Sequence, residues 1–156
     1  MTSTLIALWA LVLALGIQTG AGIYETRVIV PLWGSSPPAS LTAFHALPIK
    51  PDSGRRLWMI LTPITTLISL LNLVLALMSH DSMRGWWIVA SAASVVVMSV
   101  TFAYFVPALF FFMRVAAQPT PEVGPRVRRW VAFNYVRALI LIAAWIAALV
   151  AFSSVR

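Results

Sequence analysis

Two ionisable side chains of opposite charge stand against hydrophobic segments of this chain. Glu25 closes the first apolar run and Arg137 lies within the last one, whereas the other acidic residues fall in predicted loops. A single charge in a bilayer is costly, but two opposite charges that meet are tolerated. We therefore expect Glu25 and Arg137 to pair inside a helical bundle, either as an ion pair that fixes helix register or as part of a functional site.

Polar and aromatic side chains are predicted to surround this pair. Trp130, Asn134 and Arg137 recur at i, i+4 and i+7, so they share a helix face that we expect to turn inward. In a functional site, Arg137 would stabilise an anion and Glu25 or His45 would accept a proton. The predicted catalytic residues are Glu25, Arg137 and His45, and the predicted substrate-binding residues are Tyr24, Tyr104, Trp130 and Asn134.

The composition identifies the surroundings in which this chemistry would take place. Of 156 residues, 61% are hydrophobic and 10% are charged, against about 25% charged in soluble domains. The chain has too little polar surface for water, so we expect an integral membrane protein. The net charge of +7 comes from basic residues beside hydrophobic runs, which favours lipid headgroups over nucleic acid as partners.

Several kinds of site are excluded or disfavoured by the residues present. The chain has no cysteine and two histidines, so thiolate and multi-histidine metal sites are excluded. There is no HExxH, GxSxG or glycine-rich phosphate loop, and there are too few carboxylates for a diiron bundle. We therefore expect no metal and no cofactor.

Hydropathy predicts an all-α fold, a four-helix transmembrane bundle forming one domain over residues 1–156. A span needs about 20 apolar residues, and four runs are long enough: residues 1–24, 57–79 and 85–113 have no charge, and 130–155 has one, Arg137. The predicted helices lie near residues 4–25, 57–79, 86–113 and 130–153.

The first connection is long and is predicted to carry a short interfacial helix. Pro31 and the GSSPP stretch at 34–38 are expected to end the first helix. Ser40 is predicted to cap the short helix, and Asp52 or Ser53 to cap the second span. The connection either folds back over the mouth of the bundle or serves as a plain linker, and the sequence does not decide between them.

Small and polar residues predict how the helices pack. Gly16 and Gly20 form a GxxxG motif, which favours close packing within the chain over dimerisation. A homo-oligomer or a complex with a partner membrane protein remains an alternative. The second span carries a stripe of small and polar side chains that we expect to pack between helices. Its residues are Thr62, Thr65, Ser69, Asn72 and Ala76.

The distribution of basic residues predicts the orientation in the membrane. Nine of the eleven lie toward the two long connections, and two lie on the side of the termini. By the positive-inside rule, the long loops are cytoplasmic and the termini outside. We expect a bacterial inner membrane protein in this orientation.

The stretches GIQTGAGIYETRVIVPLW at 16–33 and RRWVAFNYVRALILIAAW at 128–145 also resemble a family. They are similar to the anthrone oxygenase-like family of small four-helix membrane proteins of bacteria and fungi. The match covers the ends of the chain, and the middle resembles the family only in hydropathy. The residues that carry it are Gly20, Gly22, Tyr24, Val30, Pro31, Trp130, Asn134 and Arg137.

This resemblance implies oxidation of anthrones to quinones by molecular oxygen without an obvious cofactor. The family often has histidine where this chain has Asn134, and an amide cannot act as a base, so that part of the family's chemistry does not carry over directly. The expected function is oxidation of a hydrophobic phenolic or polyketide-like substrate at the cytoplasmic mouth of the bundle. The alternative is a non-catalytic bundle that binds lipid or a partner membrane protein.

Overall fold

The computed structural model describes residues 3–45 and 55–155, and those residues form an all-helical bundle without strands. Four helices are long and apolar enough to cross a membrane, so the predicted four-helix fold is confirmed. In chain order the elements are α1 (Ser3–Tyr24), a π-helical turn (Glu25–Ile29), α2 (Val30–Gly34), a 3-10 helix (Ala39–His45), α3 (Arg55–Met78), α4 (Arg84–Val100), a second π-helical turn (Thr101–Phe105), α5 (Val106–Val115) and α6 (Val123–Ser153).

The four spans form a closed ring. The first span comprises α1, the first π turn and α2, and the third comprises α4, the second π turn and α5. Helix α1 packs against α3 and α6, and α4 packs against the same two helices. The last span therefore lies beside the first, so residues far apart in sequence meet across the α1–α6 contact.

Each π turn lies two residues before a proline. In the first turn the Val30 N–H donates to the Glu25 carbonyl, and in the second the Val106 N–H donates to the Thr101 carbonyl. A proline ring clashes with the carbonyl four residues earlier in a regular α-helix, and a wider turn relieves that clash. The first span therefore continues through Pro31 to Gly34, and the prediction that Pro31 stops the helix is wrong.

Two hydrophobic cores fill the bundle at different depths. One occupies the end that carries the chain termini, and its largest buried side chains include Leu11, Trp87 and Met98. The other occupies the opposite end and includes Trp33, Phe112 and Trp130 among others. Glu25, Thr26, Asn134 and Arg137 lie along their helices between the residues of these two cores, so the candidate site is in the middle of the bundle rather than at its end.

The described part of the first connection, residues 35–45, folds back onto the bundle. Leu41 and Phe44 are buried in the second core, and the Phe44 ring lies 5.0 Å from that of Trp33. Ser40 accepts a hydrogen bond from the Ser36 N–H and donates one to the Trp33 carbonyl, so it ties the short helix back to α2. The described part of the connection is a cap. The caps predicted at Asp52 and Ser53 lie outside the described residues.

The polar stripe of the second span packs between helices as predicted. All five of its residues are buried. The hydroxyls of Ser69 and Ser94 lie 2.7 Å apart, the indole N–H of Trp87 donates to Asn72 Oδ1 at 2.9 Å, and Thr65 donates to Gln18 Oε1 at 3.4 Å. These bonds join α3 to both of its neighbours and satisfy polar groups that lipid could not.

Candidate functional site

Glu25 and Arg137 form the predicted ion pair across the contact between the first and last spans. Arg137 Nη2 lies 3.3 Å from Glu25 Oε2, and the two side chains are 13% and 18% exposed. The first π turn begins at Glu25, and Arg137 lies in the middle of α6. A charge-assisted hydrogen bond in such surroundings compensates much of the cost of removing both groups from water.

An aromatic ring covers the other side of the guanidinium. The central carbon of the Arg137 guanidinium lies 4.6 Å from the ring centroid of Phe105, within the range of a cation–π interaction. Phe105 ends the second π turn, and its carbonyl accepts a hydrogen bond from the Trp130 indole N–H at 3.2 Å. The two π turns thus supply the carboxylate and the ring that hold Arg137 in place.

A buried amide adjoins the pair on the same helices. Asn134 Nδ2 donates to Thr26 Oγ1 at 2.8 Å, next to Glu25 in sequence. The other amide atom, Asn134 Oδ1, is buried and has no hydrogen-bond partner in the part of the chain that the structure describes. A buried acceptor without a donor is costly. The site therefore contains one buried acceptor that the described residues leave unsatisfied.

Arg137 lines an apolar groove between the third and fourth spans. The groove has a volume of about 250 Å³ and is open on its lipid side, where Val96, Val136 and Ile140 are exposed. We call it the Arg137 groove. Its lining residues are Val96, Val97, Val100, Tyr104, Phe105, Phe133, Val136, Arg137 and Ile140. Arg137 is the one charged side chain among them, so a molecule entering from the bilayer meets a single cation against an apolar wall.

The structure brings together most of the predicted site residues but not all of them. Tyr104 is half-buried and lines the Arg137 groove, while Trp130 and Asn134 are buried beside the pair. Tyr24 is 59% exposed and does not line this groove. His45 is exposed on the 3-10 helix, and no hydrogen bond, ion pair or ring contact joins it to the pair within the described residues.

Thr26 and Phe105 belong to the site and were not predicted from the sequence. Thr26 follows Glu25 directly, and an α-helical turn would point it to a different face. The π turn brings Thr26 to Asn134 while Glu25 faces Arg137. The sequence signal that could have indicated Thr26 was its position directly after Glu25 and shortly before Pro31. For Phe105, nothing in the spacing indicated contact with the guanidinium.

This arrangement suits anion binding more directly than base catalysis. The guanidinium faces the groove, whereas Glu25 is not among the residues that line it. A fixed cation with low-dielectric walls stabilises a developing negative charge without reorganisation. Glu25 lies behind Arg137, within hydrogen-bond distance of it, and so orients the guanidinium.

Comparisons with protein-family models, with curated proteins and with solved structures find no match to this chain.

Proposed function

We propose that this protein oxidises a hydrophobic phenolic compound that enters the Arg137 groove from the bilayer. The observation that carries the proposal is the placement of one guanidinium, fixed by Glu25 and Phe105, in an apolar groove open to lipid. A phenol or anthrone partitions into the membrane when neutral and becomes reactive toward oxygen when it is an anion. A cation at the inner wall of the groove favours that anion.

The reaction consumes one molecule of oxygen and needs no other oxidant. Removal of a proton from an activated ring methylene gives a resonance-stabilised carbanion, which attacks oxygen to form a carbon–oxygen bond. Return of the proton gives a hydroperoxide. Loss of water then breaks the oxygen–oxygen bond and leaves a ketone, so a methylene and oxygen become a carbonyl and water. The electrons that reduce oxygen all come from the substrate carbon.

We assign each step of the reaction to a residue according to its position relative to the groove. Arg137 lines the groove and would stabilise the oxyanion of the ionised substrate. Glu25 does not line the groove, so its carboxylate would have to turn past the guanidinium to which it is hydrogen-bonded in order to accept the proton and return it. We assign this role to Glu25 rather than His45 because His45 is exposed on the capping segment. Asn134 is fully buried and does not line the groove, so it would hold Thr26 beside Glu25 rather than touch the substrate.

The size of the groove limits the substrate. Ligand pockets usually measure about 300–1,000 Å³, and the Arg137 groove is somewhat smaller at about 250 Å³. Its open side lets part of a molecule remain among acyl chains. A fused aromatic ring system with one hydroxyl beside Arg137 fits this description better than an extended polar molecule.

Oxygen uptake with a hydroxyanthrone tests the proposal. The wild-type protein in lipid nanodiscs should consume oxygen at a rate that rises with protein concentration. Arg137→Ala should lower this rate by about 10²–10³-fold, the usual loss for one oxyanion donor. Arg128→Ala is the matched control, because Arg128 is an exposed arginine of the same helix outside the groove, and it should keep the wild-type rate.

Two results would contradict the proposal. One is a wild-type rate no higher than that of empty nanodiscs, which would favour the non-catalytic bundle. The other is an unchanged rate in Arg137→Ala when circular dichroism shows that the variant has inserted and folded. Either result removes the role assigned to the guanidinium.

A further inference from the structure

A second groove lies nearer the loop end of the same two spans. It has a volume of about 290 Å³ and its walls combine apolar side chains with two arginines. We call it the Arg126–Arg129 groove. It is lined by Tyr104, Ala108, Phe111, Phe112, Arg126 and Arg129. A groove with cations on one wall and aromatic rings on the other is amphipathic, unlike the almost wholly apolar Arg137 groove.

The two arginines have no acidic partner among the described residues. They are three residues apart on α6, so they share a face and are separated by about 4.5 Å along the helix axis. The guanidinium of Arg126 lies 5.5 Å from the ring centroid of Phe111, which holds it at the edge of the groove. Two neighbouring guanidinium groups match the oxygens of a phosphate, which each can bind through two parallel N–H donors.

The position of the groove fits a lipid headgroup rather than a buried anion. Helix α6 begins at Val123, so Arg126 and Arg129 lie in its first two turns, where the span approaches the membrane surface. Tyr104 lines both grooves. A molecule with its charged end at these arginines therefore has an apolar surface below it, which leads past Tyr104 to the Arg137 groove.

We propose that the Arg126–Arg129 groove binds an anionic phospholipid, with the phosphate between the two guanidinium groups and an acyl chain against Phe111 and Tyr104. Charge complementarity selects the anionic headgroup, and the apolar wall selects an attached chain over a free anion. This inference does not depend on the proposed oxidation, because it involves neither Glu25 nor Arg137.

Lipid binding measured by native mass spectrometry tests this inference. Protein released from a neutral detergent would be titrated with phosphatidylglycerol and, in parallel, with phosphatidylcholine of the same chain length. The wild type should retain one phosphatidylglycerol molecule with clear preference over phosphatidylcholine. Each arginine near an anionic headgroup contributes roughly a fivefold gain in affinity, so Arg126→Gln with Arg129→Gln should weaken phosphatidylglycerol binding by about 30-fold.

The control removes the same charge from outside the groove. Arg114 and Arg128 are exposed and line neither groove. The double change Arg114→Gln with Arg128→Gln should weaken phosphatidylglycerol binding by less than about threefold, since only long-range attraction is lost. Arg126→Lys with Arg129→Lys should retain more affinity than the glutamine pair, which separates loss of charge from loss of fold.

Three outcomes would overturn the assignment. Equal weakening by the groove and control pairs would show attraction by overall charge and no defined site. Equal retention of phosphatidylglycerol and phosphatidylcholine by the wild type would show that the groove does not distinguish an anionic headgroup from a zwitterionic one. Displacement of the lipid by inorganic phosphate at comparable concentration would identify a free-anion site in which the acyl chain has no part.

Discussion

Replacing either member of the Glu25–Arg137 pair should destabilise the protein more than replacing both. Removing one partner of a buried ion pair typically costs about 3–5 kcal/mol, because a charge is left without compensation. Glu25→Gln leaves the Arg137 guanidinium with a neutral amide and the Phe105 ring at 4.6 Å, so we expect about 3 kcal/mol. Arg137→Gln leaves the Glu25 carboxylate without its cation, so we expect about 5 kcal/mol.

The double change removes both charges at once. It loses the cation–π contact with Phe105, worth about 1 kcal/mol in a partly exposed position, and about 1 kcal/mol of hydrogen bonding. The expected loss is therefore about 2 kcal/mol, less than either single change. The coupling energy is about 6 kcal/mol, near the top of the range measured for close charge pairs.

The assay is unfolding of the four proteins in mixed micelles, followed by circular dichroism. Glu25→Gln combined with Arg128→Gln serves as the control, because Arg128 is exposed and is not paired with Glu25. Those two effects should add within about 0.5 kcal/mol. Additive losses for Glu25→Gln and Arg137→Gln would refute the contact on which the site depends.

Two further predictions concern packing within the bundle. Gly16→Ala should be less stable than Gly20→Ala by about 1–3 kcal/mol, the usual cost of overpacking. A Cβ at Gly16 would lie 3.2 Å from the Trp145 indole nitrogen, whereas a Cβ at Gly20 would meet nothing within 4 Å. Equal unfolding free energies of the two variants in micelles would contradict this contact. Trp130→Phe should lower the unfolding free energy by about 1–3 kcal/mol, because the Phe105 carbonyl loses the indole N–H that donates to it at 3.2 Å. An unfolding free energy equal to that of the wild type would contradict this hydrogen bond.

Much of the fold was predictable because hydropathy reports burial in lipid directly. Four apolar runs predict four spans, and the polar stripe from Thr62 to Ala76 predicts the face of the second span that packs inward. The second predicted helix, 57–79, corresponds to α3 (Arg55–Met78). The last predicted helix began at 130 but α6 begins at Val123, because the arginine-rich start of a span is helical without being apolar.

The ends of the helices were less predictable than their centres. Pro31 was expected to stop the first span, yet the π turn before it lets the chain continue to Gly34. Proline rules describe a regular α-helix, and a wider turn changes which carbonyl the ring meets. The same wider turn sets the direction of Thr26, which is why this residue was absent from the predicted site.

The site itself was predictable where it depended on charge and not where it depended on shape. A lone carboxylate and a lone guanidinium in apolar spans have few alternatives to each other, and they do pair. By contrast, Tyr24 was also predicted beside the pair; it adjoins Glu25 in sequence, but adjacent helical residues point in different directions. The Arg137 groove arises from packing between the third and fourth spans, which no single segment encodes.

The proposed function depends on Arg137 stabilising an anion inside the groove, and the absorption spectrum of a bound hydroxyanthrone tests this most directly. Under nitrogen, so that no oxidation occurs, the ligand bound to the wild type should show the red-shifted spectrum of its anion at a pH where the free ligand in empty nanodiscs is neutral. Arg137→Gln should bind it with the spectrum of the neutral form, and Arg128→Gln should behave as the wild type. A neutral spectrum in the wild type, or an anionic spectrum that persists in Arg137→Gln, would contradict the role assigned to this guanidinium.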